Sequence, residues 1–474
     1  MKKAACSFLS LTLALILFAS SLVSCSAIQK IFHTHSYDYF HDDTTHWRVC
    51  RECGEKTETE PHALICEEHL DATCEKEGFD VFTCSDCGFR QTDFLTQTAH
   101  RFERSEQSDP AICAVCGRME SDLVELPQSE RYGYRYLAAL ANSEIYLPVY
   151  RKLSASIAAR KDAVALHQNL TKEELARIYF CVSCDHPEYF WLTSNYEYSY
   201  SGTEIREVTP SYYFSSSELA SAKEKFSAAA NEILAGLSSS MTDFEKELFI
   251  HDAIVKSNTY DESHKAPVNH SAYSALVLGC SVCDGYSKLF HYFMARAGIL
   301  SVNLIGYSNE LHSWDAVKLD GDWYMVDPTW DDPTGHGENT VQHTYFNCPW
   351  AQFASDHSFV EPGGEPIKNH FEIPSCTSDR YNYFTYFGYE GDLNLTNIDR
   401  VIRSQWKQGQ TVNFQLCVSN LSGTPEERTA AIRAFFERES NLYPTVSKAL
   451  GRRDSFSISY SVSPDGNILT LYID

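Results

Sequence analysis

"HSWDAVKLDGDWYMVDPTW", residues 312–330, holds two alternating apolar runs on either side of Asp320–Gly321. Asp-Gly is the strongest short signal for a two-residue hairpin turn, because both central positions need a left-handed backbone. With those residues at the turn, Leu319 pairs with Asp322, Trp314 with Asp327 and His312 with Thr329. Side chains alternate between the faces of a strand, so His312, Trp314, Asp327 and Thr329 share one face. Diagonal neighbours there lie ~7–8 Å apart, within side-chain reach. The register therefore predicts that Asp327 hydrogen-bonds the His312 ring and holds its tautomer. Pro328 ends the ladder just past the carboxylate, as suits a site at a strand end.

Upstream, "GCSVCDGYSKLFHYFMARAG", residues 279–298, places a helical stripe at Tyr286, Leu289, Phe290, Phe293 and Met294, closed by Gly298. Cys283 falls in the first turn, where unpaired N–H groups favour an anion by ~0.3–1 kcal/mol. Helix N-termini and neighbouring imidazolium groups are what turn thiols into nucleophiles. Cys280 lies a turn earlier, outside the helix, and reads as a bystander. A redox pair or a metal half-site would leave the His–Asp hairpin unexplained. Cys283, His312 and Asp327 then form a nucleophile, a base and an orienting carboxylate.

"SVCDGYSKLF", "HSW" and "WYMVDPTWDD", in that order, resemble the three core motifs of the transglutaminase-like superfamily. "IHDAIVKSNTYD" resembles the helix that precedes the cysteine in bacterial members, and the resemblance covers about residues 240–350. It implies an α+β, papain-like core in which the cysteine-bearing helix packs on an antiparallel sheet. It also implies Cys283 as nucleophile, His312 as general base and Asp327 as third member, acting without a cofactor on a protein or peptide amide. An amine acceptor would give crosslinking; water would give deamidation or peptide hydrolysis. These residues do not separate the outcomes. The sequence departs from the animal enzymes in having no tryptophan at their upstream site position, Trp191 being far away. Tyr260, Asn269 and Tyr273 are the candidates for an oxyanion donor beside the Cys283 N–H. Calcium-site signatures are not evident, and Asp331–Asp332–Pro333 reads as a turn. His251 reads as a core histidine. Trp314, Trp323 and Trp330 either wall a narrow amide tunnel or fill the sheet core.

The N-terminus reads as an export signal: Lys2 and Lys3, an apolar run from Phe8 to Val23, then "LVSC" at 22–25. This resembles a bacterial lipobox, which implies cleavage after Ser24, lipid on Cys25 and an extracytoplasmic place on the membrane surface. Net charge is 39 − 64 = −25, which argues against nucleic acid as a partner.

Of the 17 cysteines, eight fall between residues 50 and 116. Three Cys-x-x-Cys pairs (Cys50/Cys53, Cys84/Cys87, Cys113/Cys116) are each followed by glycine, with His46, His62, Cys74 and His100 between and around them. Zinc takes four such ligands at tetrahedral angles, and a segment this poor in apolar residues needs staples. The repeat resembles zinc-ribbon-like units of bacterial surface proteins; disulfides are the competing reading.

The expected order is a signal peptide at 1–24, Cys/His-rich repeats at 25–120 and a mostly helical lead-in at 121–240. The catalytic core follows at 241–350, then a linker at 351–377 and a small α+β accessory module at 378–474. In the lead-in, "SEIYLPVYRKLSASIAARKDAVAL" has helical spacing throughout, and Cys181 and Cys184 read as packed thiols. A surface scaffold with an inactive papain-like domain is the rival to an enzyme.

Overall fold

The computed structural model describes residues 33–473 except 75, 96–97, 99–100, 104–111, 117–125, 264–265, 334–339, 409–411 and 452–454. The expected signal peptide, the lipid site Cys25 and His100 lie outside the described residues. The chain forms two compact units, Met1–His100 and Arg101–Asp474. Among the described residues no helix is long and apolar enough to cross a membrane.

Among its described residues the first unit holds two three-stranded antiparallel sheets. One contains β1 (Tyr37–His41), β2 (Thr45–Cys50) and β3 (Glu60–Pro61) in that order. The other contains β4 (Leu64–Leu70), β5 (Gly78–Cys84) and β6 (Arg90–Leu95), with β5 central. Each Cys-x-x-Cys here makes the same turn. Gly54 and Gly88 both have φ +75°, and their N–H groups donate to the carbonyls of Cys50 and Cys84 at 3.0 Å. A side chain would strain that backbone, which is why glycine follows each pair.

The second unit opens with α1 (Tyr132–Ala138) and α2 (Ser143–Ala158). The helix expected to run through residue 166 stops at Ala158. Arg160 turns the chain at φ 56°, and β7 (Val164–Asn169) follows with Val164 and Leu166 buried. The alternation of "DAVAL" won over the helical period because it feeds a sheet with β8 (Leu192–Ser201) and β9 (Glu204–Tyr212). Between them α3 (Lys172–Asp185) buries Cys181 and Cys184, and burial pushes both thiols up. The helix α4 (Ser216–Leu234) leads to α5 (Asp243–Ser257), which Thr242 and Glu245 close with a reciprocal capping box.

The site is carried by α6 (Cys283–Arg296) packed on the antiparallel sheet β10 (Ser301–Ser308), β11 (Glu310–Leu319) and β12 (Asp322–Val326), with β11 central. Leu289, Phe290 and Phe293 of α6 are wholly buried, as are Leu304, Trp314, Val317 and Tyr324 of the sheet. The β11–β12 register is the expected one, with Leu319 opposite Asp322 and Asp315 opposite Val326. Asp320 and Gly321 have φ 47° and 95°, the left-handed pair that a two-residue turn requires.

C-terminal to the sheet come α7 (Leu395–Lys407), β13 (Asn413–Val418), α8 (Pro425–Arg438), α9 (Leu442–Leu450), β14 (Ile458–Val462) and β15 (Ile468–Ile473). Here β15 lies between β13 and β14, and the two-residue strand Glu390–Gly391 adds in parallel to β13. Gln415 ties this sheet to the core: its Oε1 accepts from the His343 N–H at 2.8 Å, and its Nε2 donates to Thr344 Oγ1 at 3.1 Å. The result is a mixed α+β fold.

Candidate active site

Cys283 is the first residue of α6, after Val282 in extended backbone. Its N–H has no partner within the helix, as at any first turn. A short parallel pairing fixes the entry: the Ser281 N–H donates to the Thr259 carbonyl at 3.1 Å, and the Asp261 N–H donates to the Ser281 carbonyl at 2.9 Å. Cys280 makes no disulfide with Cys283, and none of the described cysteines is bonded to another.

On β11, His312 is buried and its Nε2–H donates to Asp327 Oδ2 at 2.6 Å. The other carboxylate oxygen of Asp327 accepts the N–H groups of Thr329 at 2.9 Å and Trp330 at 3.2 Å. Burial alone would lower the His312 ring. The Asp327 carboxylate outweighs it and, with the side chain of Cys283, raises the ring to about 10. Burial works equally against ionised Asp327, yet His312 and His357 hold its carboxyl far below the usual range. The group is therefore an ion pair in a dry environment, with Cys283 as the third participant.

The loop that carries Asp327 is pinned along its length. Asp331 Oδ1 accepts the Tyr345 N–H at 3.0 Å, and the Tyr286 hydroxyl of α6 donates to Asp332. Asp331–Pro333 is thus a tied turn. His251 of α5 is a core histidine, with Nε2 3.2 Å from Asp331 Oδ2 and Nδ1 3.3 Å from Asp252 Oδ1. Burial lowers its ring, but the two carboxylates more than compensate and raise it to about 9.

The three oxyanion candidates separate clearly. The Asn269 amide donates to Asp261 Oδ2 at 2.7 Å, and Tyr273 is buried against Phe190 and Phe214. Tyr260 remains: it bridges in parallel to Ser281, two residues before Cys283, and burial, with Cys283, Glu310 and Asp327 nearby, pushes its hydroxyl up. Trp314 is wholly buried with its ring 6.0 Å from that of His312, and Trp330 stands 6.1 Å from it on another side. Trp323 instead meets Tyr132, away from His312.

Sequence reasoning missed His357. It lies in the stretch expected as a linker, yet it is buried and its Nε2 stands 3.1 Å from the same Asp327 Oδ2 that His312 uses. The only available signal was a histidine beside aromatic residues thirty positions downstream of Asp327, which is too common a pattern to single out.

The first unit has its own clusters. Donor atoms of His33, His35, Cys50 and Cys53 lie within 4.8 Å of one another, and so do those of His46, His62, Cys84 and Cys87. Within them His33 lies 3.1 Å from Cys50, His35 3.6 Å from Cys53, His46 3.7 Å from Cys84 and His62 3.4 Å from Cys87. These clusters could hold metal ions. A tetrahedral zinc with N and S ligands has donor–donor edges of ~3.3–3.8 Å, which nearly all of these match. The neighbours in sequence, His46 and His62, do not join Cys50 and Cys53; they belong with Cys84 and Cys87. His33 and His35, not singled out from the sequence, complete the first set. Cys74 is buried in the first unit; Cys113, also buried, and Cys116 belong to the second.

Residues 227–328 match the model of the transglutaminase-like superfamily. That span ends one residue past Asp327 and takes in α6, His312 and the hairpin. The chain carries a transglutaminase-like domain. A kyphoscoliosis peptidase of Mus musculus is 33% identical over 93 residues, 16% of this chain and 14% of that protein, so the match spans about a seventh of the relative. Among solved structures, a candidate cysteine protease of Cytophaga hutchinsonii aligns over 28% of this chain and 61% of its own, at 13% identity and a TM-score of 0.19. A transglutaminase crystal structure aligns over 37% and 52%, at 11% identity and a TM-score of 0.22. Outside the transglutaminase-like domain, the lead-in helices and the C-terminal sheet pack within the same compact unit.

Proposed function

We propose that this chain is an exported, lipid-anchored acyl-transfer enzyme that acts on amides of proteins or peptides through a thioester at Cys283. The observation that carries the reading is the 2.6 Å bond from His312 to Asp327 beside a cysteine at a helix N-terminus. His312 already carries the proton given up by Cys283, and the thiolate left behind attacks the amide carbonyl. As the C–N bond breaks, His312 returns the proton to the leaving nitrogen. An amine or water then attacks the thioester, gives its proton to His312 and releases the thiolate. To the Cys283 N–H and the Tyr260 hydroxyl we assign the oxyanion, supported by the free first-turn N–H and the Tyr260–Ser281 bridge. No cofactor enters these steps.

The export and lipid readings are supported by the sequence alone, through Lys2, Lys3, the apolar run to Val23 and "LVSC" before Cys25. The two His₂Cys₂ clusters we read as structural zinc sites, supported by their donor spacing and by zinc's preference for imidazole with thiolate.

The test is peptide mass spectrometry on an unstructured glutamine-rich protein, incubated with the chain and a tagged primary amine beside a Cys283→Ala control. Amine mass added at glutamine, lost in the control, assigns a transglutaminase. New chain ends assign a peptidase, and glutamine-to-glutamate conversion assigns a deamidase. A Cys283 that also labels no faster than a simple thiol would sink the enzyme reading in favour of a scaffold.

A further inference from the structure

The Asp327 carboxylate serves two imidazoles. His312 and His357 both approach Oδ2, at 2.6 and 3.1 Å, with ring centroids 5.6 Å apart. A triad needs only the first. His357 is held as tightly as His312. Its Nδ1 stands 2.6 Å from Asp356 Oδ1, while Asp356 Oδ2 accepts the Tyr345 hydroxyl at 2.5 Å. Its ring sits 4.0 Å from Phe353 and 5.1 Å from both Trp314 and Trp330. The side chain has no exposed surface, so solvent does not compete for either ring nitrogen.

An ionised carboxylate only accepts hydrogen bonds. His357 has a carboxylate oxygen at each ring nitrogen, 3.1 Å away at Nε2 and 2.6 Å at Nδ1, and only the doubly protonated, cationic ring donates to both. The buried sequence is then Asp356, His357, Asp327, His312 and Cys283, with alternating charge up to the base. We propose that His357 is a positioning residue of this site: it fixes the rotation of the Asp327 carboxylate and shares its charge, and so sets how firmly His312 keeps its proton. The inference rests on the reading of Cys283 as the nucleophile.

The physical argument has two parts. Asp327 Oδ1 is already anchored by the N–H groups of Thr329 and Trp330. Without His357, Oδ2 would be held by His312 alone, and the ring that must move protons would also have to orient its own support. Charge is the second part. A like charge within ~4–6 Å disfavours protonation, typically by a pH unit or more when buried. The groups that face the two rings are Asp327, Asp356 with Tyr345 behind it, Asp331 through the Tyr345 N–H, and Cys283 with Tyr260 and Glu310 nearby. None of these except His357 places a second cation at the carboxylate.

The experiment is the pH profile of Cys283 carboxymethylation by iodoacetate, read as the Cys283 peptide by mass spectrometry in the full chain. Iodoacetate is an anion, so the rate falls where His312 loses its charge. In the wild type that fall is expected near pH 10, with labelling followed to about pH 11.5. His357→Gln keeps a donor to Asp327 but removes the cation, and should move the fall upward by about one pH unit at a neutral-pH rate within ~3-fold of wild type. His357→Leu removes the donor as well, and should slow labelling at pH 7 by ~10-fold or more. A merely structural histidine would change melting temperature and leave the profile in place. The inference is overturned if folded His357→Gln superimposes on the wild-type profile, and that variant decides the matter should His357→Leu not fold. A wild-type Cys283 that labels like a simple thiol at every pH would overturn the nucleophile reading, and this inference with it.

Discussion

His312 Nε2 and Asp327 Oδ2 stand 2.6 Å apart at the open end of a hairpin whose turn, Asp320–Gly321, lies midway between them in sequence. Both side chains are buried, and the second carboxylate oxygen is occupied by two backbone N–H groups. The carboxylate therefore has one orientation, and so does the imidazole that donates to it.

Replacing Asp327 by asparagine tests that orientation. The amide oxygen would keep the Thr329 and Trp330 N–H groups, which turns the NH₂ toward His312 and enforces the wrong tautomer. Cys283-dependent turnover should fall by about 10⁴-fold, the scale seen when a triad carboxylate becomes an amide. A variant within tenfold of wild type would show that Asp327 does not orient the base.

The same pair sets a pH dependence of stability. Asp327 is depressed in the folded state, so its contribution is present above the unfolded value of ~3.9 and is lost on acidification. His312 is raised to about 10, so its contribution is complete below ~6.5 and is lost as pH rises through 10. The thermal midpoint should therefore be highest between about pH 4 and 6.5 as far as this pair is concerned. It should fall more steeply from pH 7 to 10 than in a His312→Gln, Asp327→Asn double variant. Parallel curves would refute the linkage.

Glu247 makes the opposite prediction. It is wholly buried in α5, with Oε2 accepting from Asn347 Nδ2 at 2.9 Å and Oε1 without a partner among the described residues. Burial pushes its carboxyl up to about 8. A raised carboxyl costs stability progressively as pH climbs from ~4.3 through 8. Glu247→Gln should thus melt a few degrees higher at pH 8–9 and match wild type near pH 4, by calorimetry. A lower midpoint at both pH values would mean the charged form is required.

Metal content distinguishes the structural pairing of ligands from the order in sequence. His33→Ala and Cys50→Ser should each lose the same zinc equivalent, while His62→Ala and Cys84→Ser should lose the other. Elemental analysis of single and paired variants decides this: His33→Ala with Cys50→Ser should lose no more than either alone. If His62→Ala emptied the Cys50 site instead, the clusters would be wrongly assigned.

Gly306 marks how closely the sheet approaches the site. A Cβ there would come within 2.0 Å of Trp314 Cη2 and 2.6 Å of the Ser358 carbonyl. Trp314 packs on both His312 and His357, so Gly306→Ala should cost ~1–3 kcal/mol and also slow Cys283 labelling. Unchanged stability would mean that Trp314 has room to yield.

Short-range physics made much of this molecule legible. The Asp-Gly turn and period-two alternation specified the hairpin register and hence the meeting of His312 with Asp327. The capping residues Thr242 and Thr424 marked two helix starts, and glycine after Cys53 and Cys87 marked two identical turns. These signals act over a handful of residues, so they survive without knowledge of the fold. The helix expected through residue 166 failed because a strand partner, β9, lies some forty residues further on.

What the sequence by itself determined was the pairing of one hairpin, the start of the cysteine helix and the order of the motifs around them. Tertiary structure alone decided that His357 joins Asp327 from thirty residues away, that His251 reaches Asp331, and that His33 and His35, not His46 and His62, face Cys50 and Cys53. The reason is the same in each case. A turn or a cap is specified by neighbours along the chain, whereas which side chains share a buried carboxylate or a ligand cluster depends on how distant segments cross, and no local periodicity encodes that crossing.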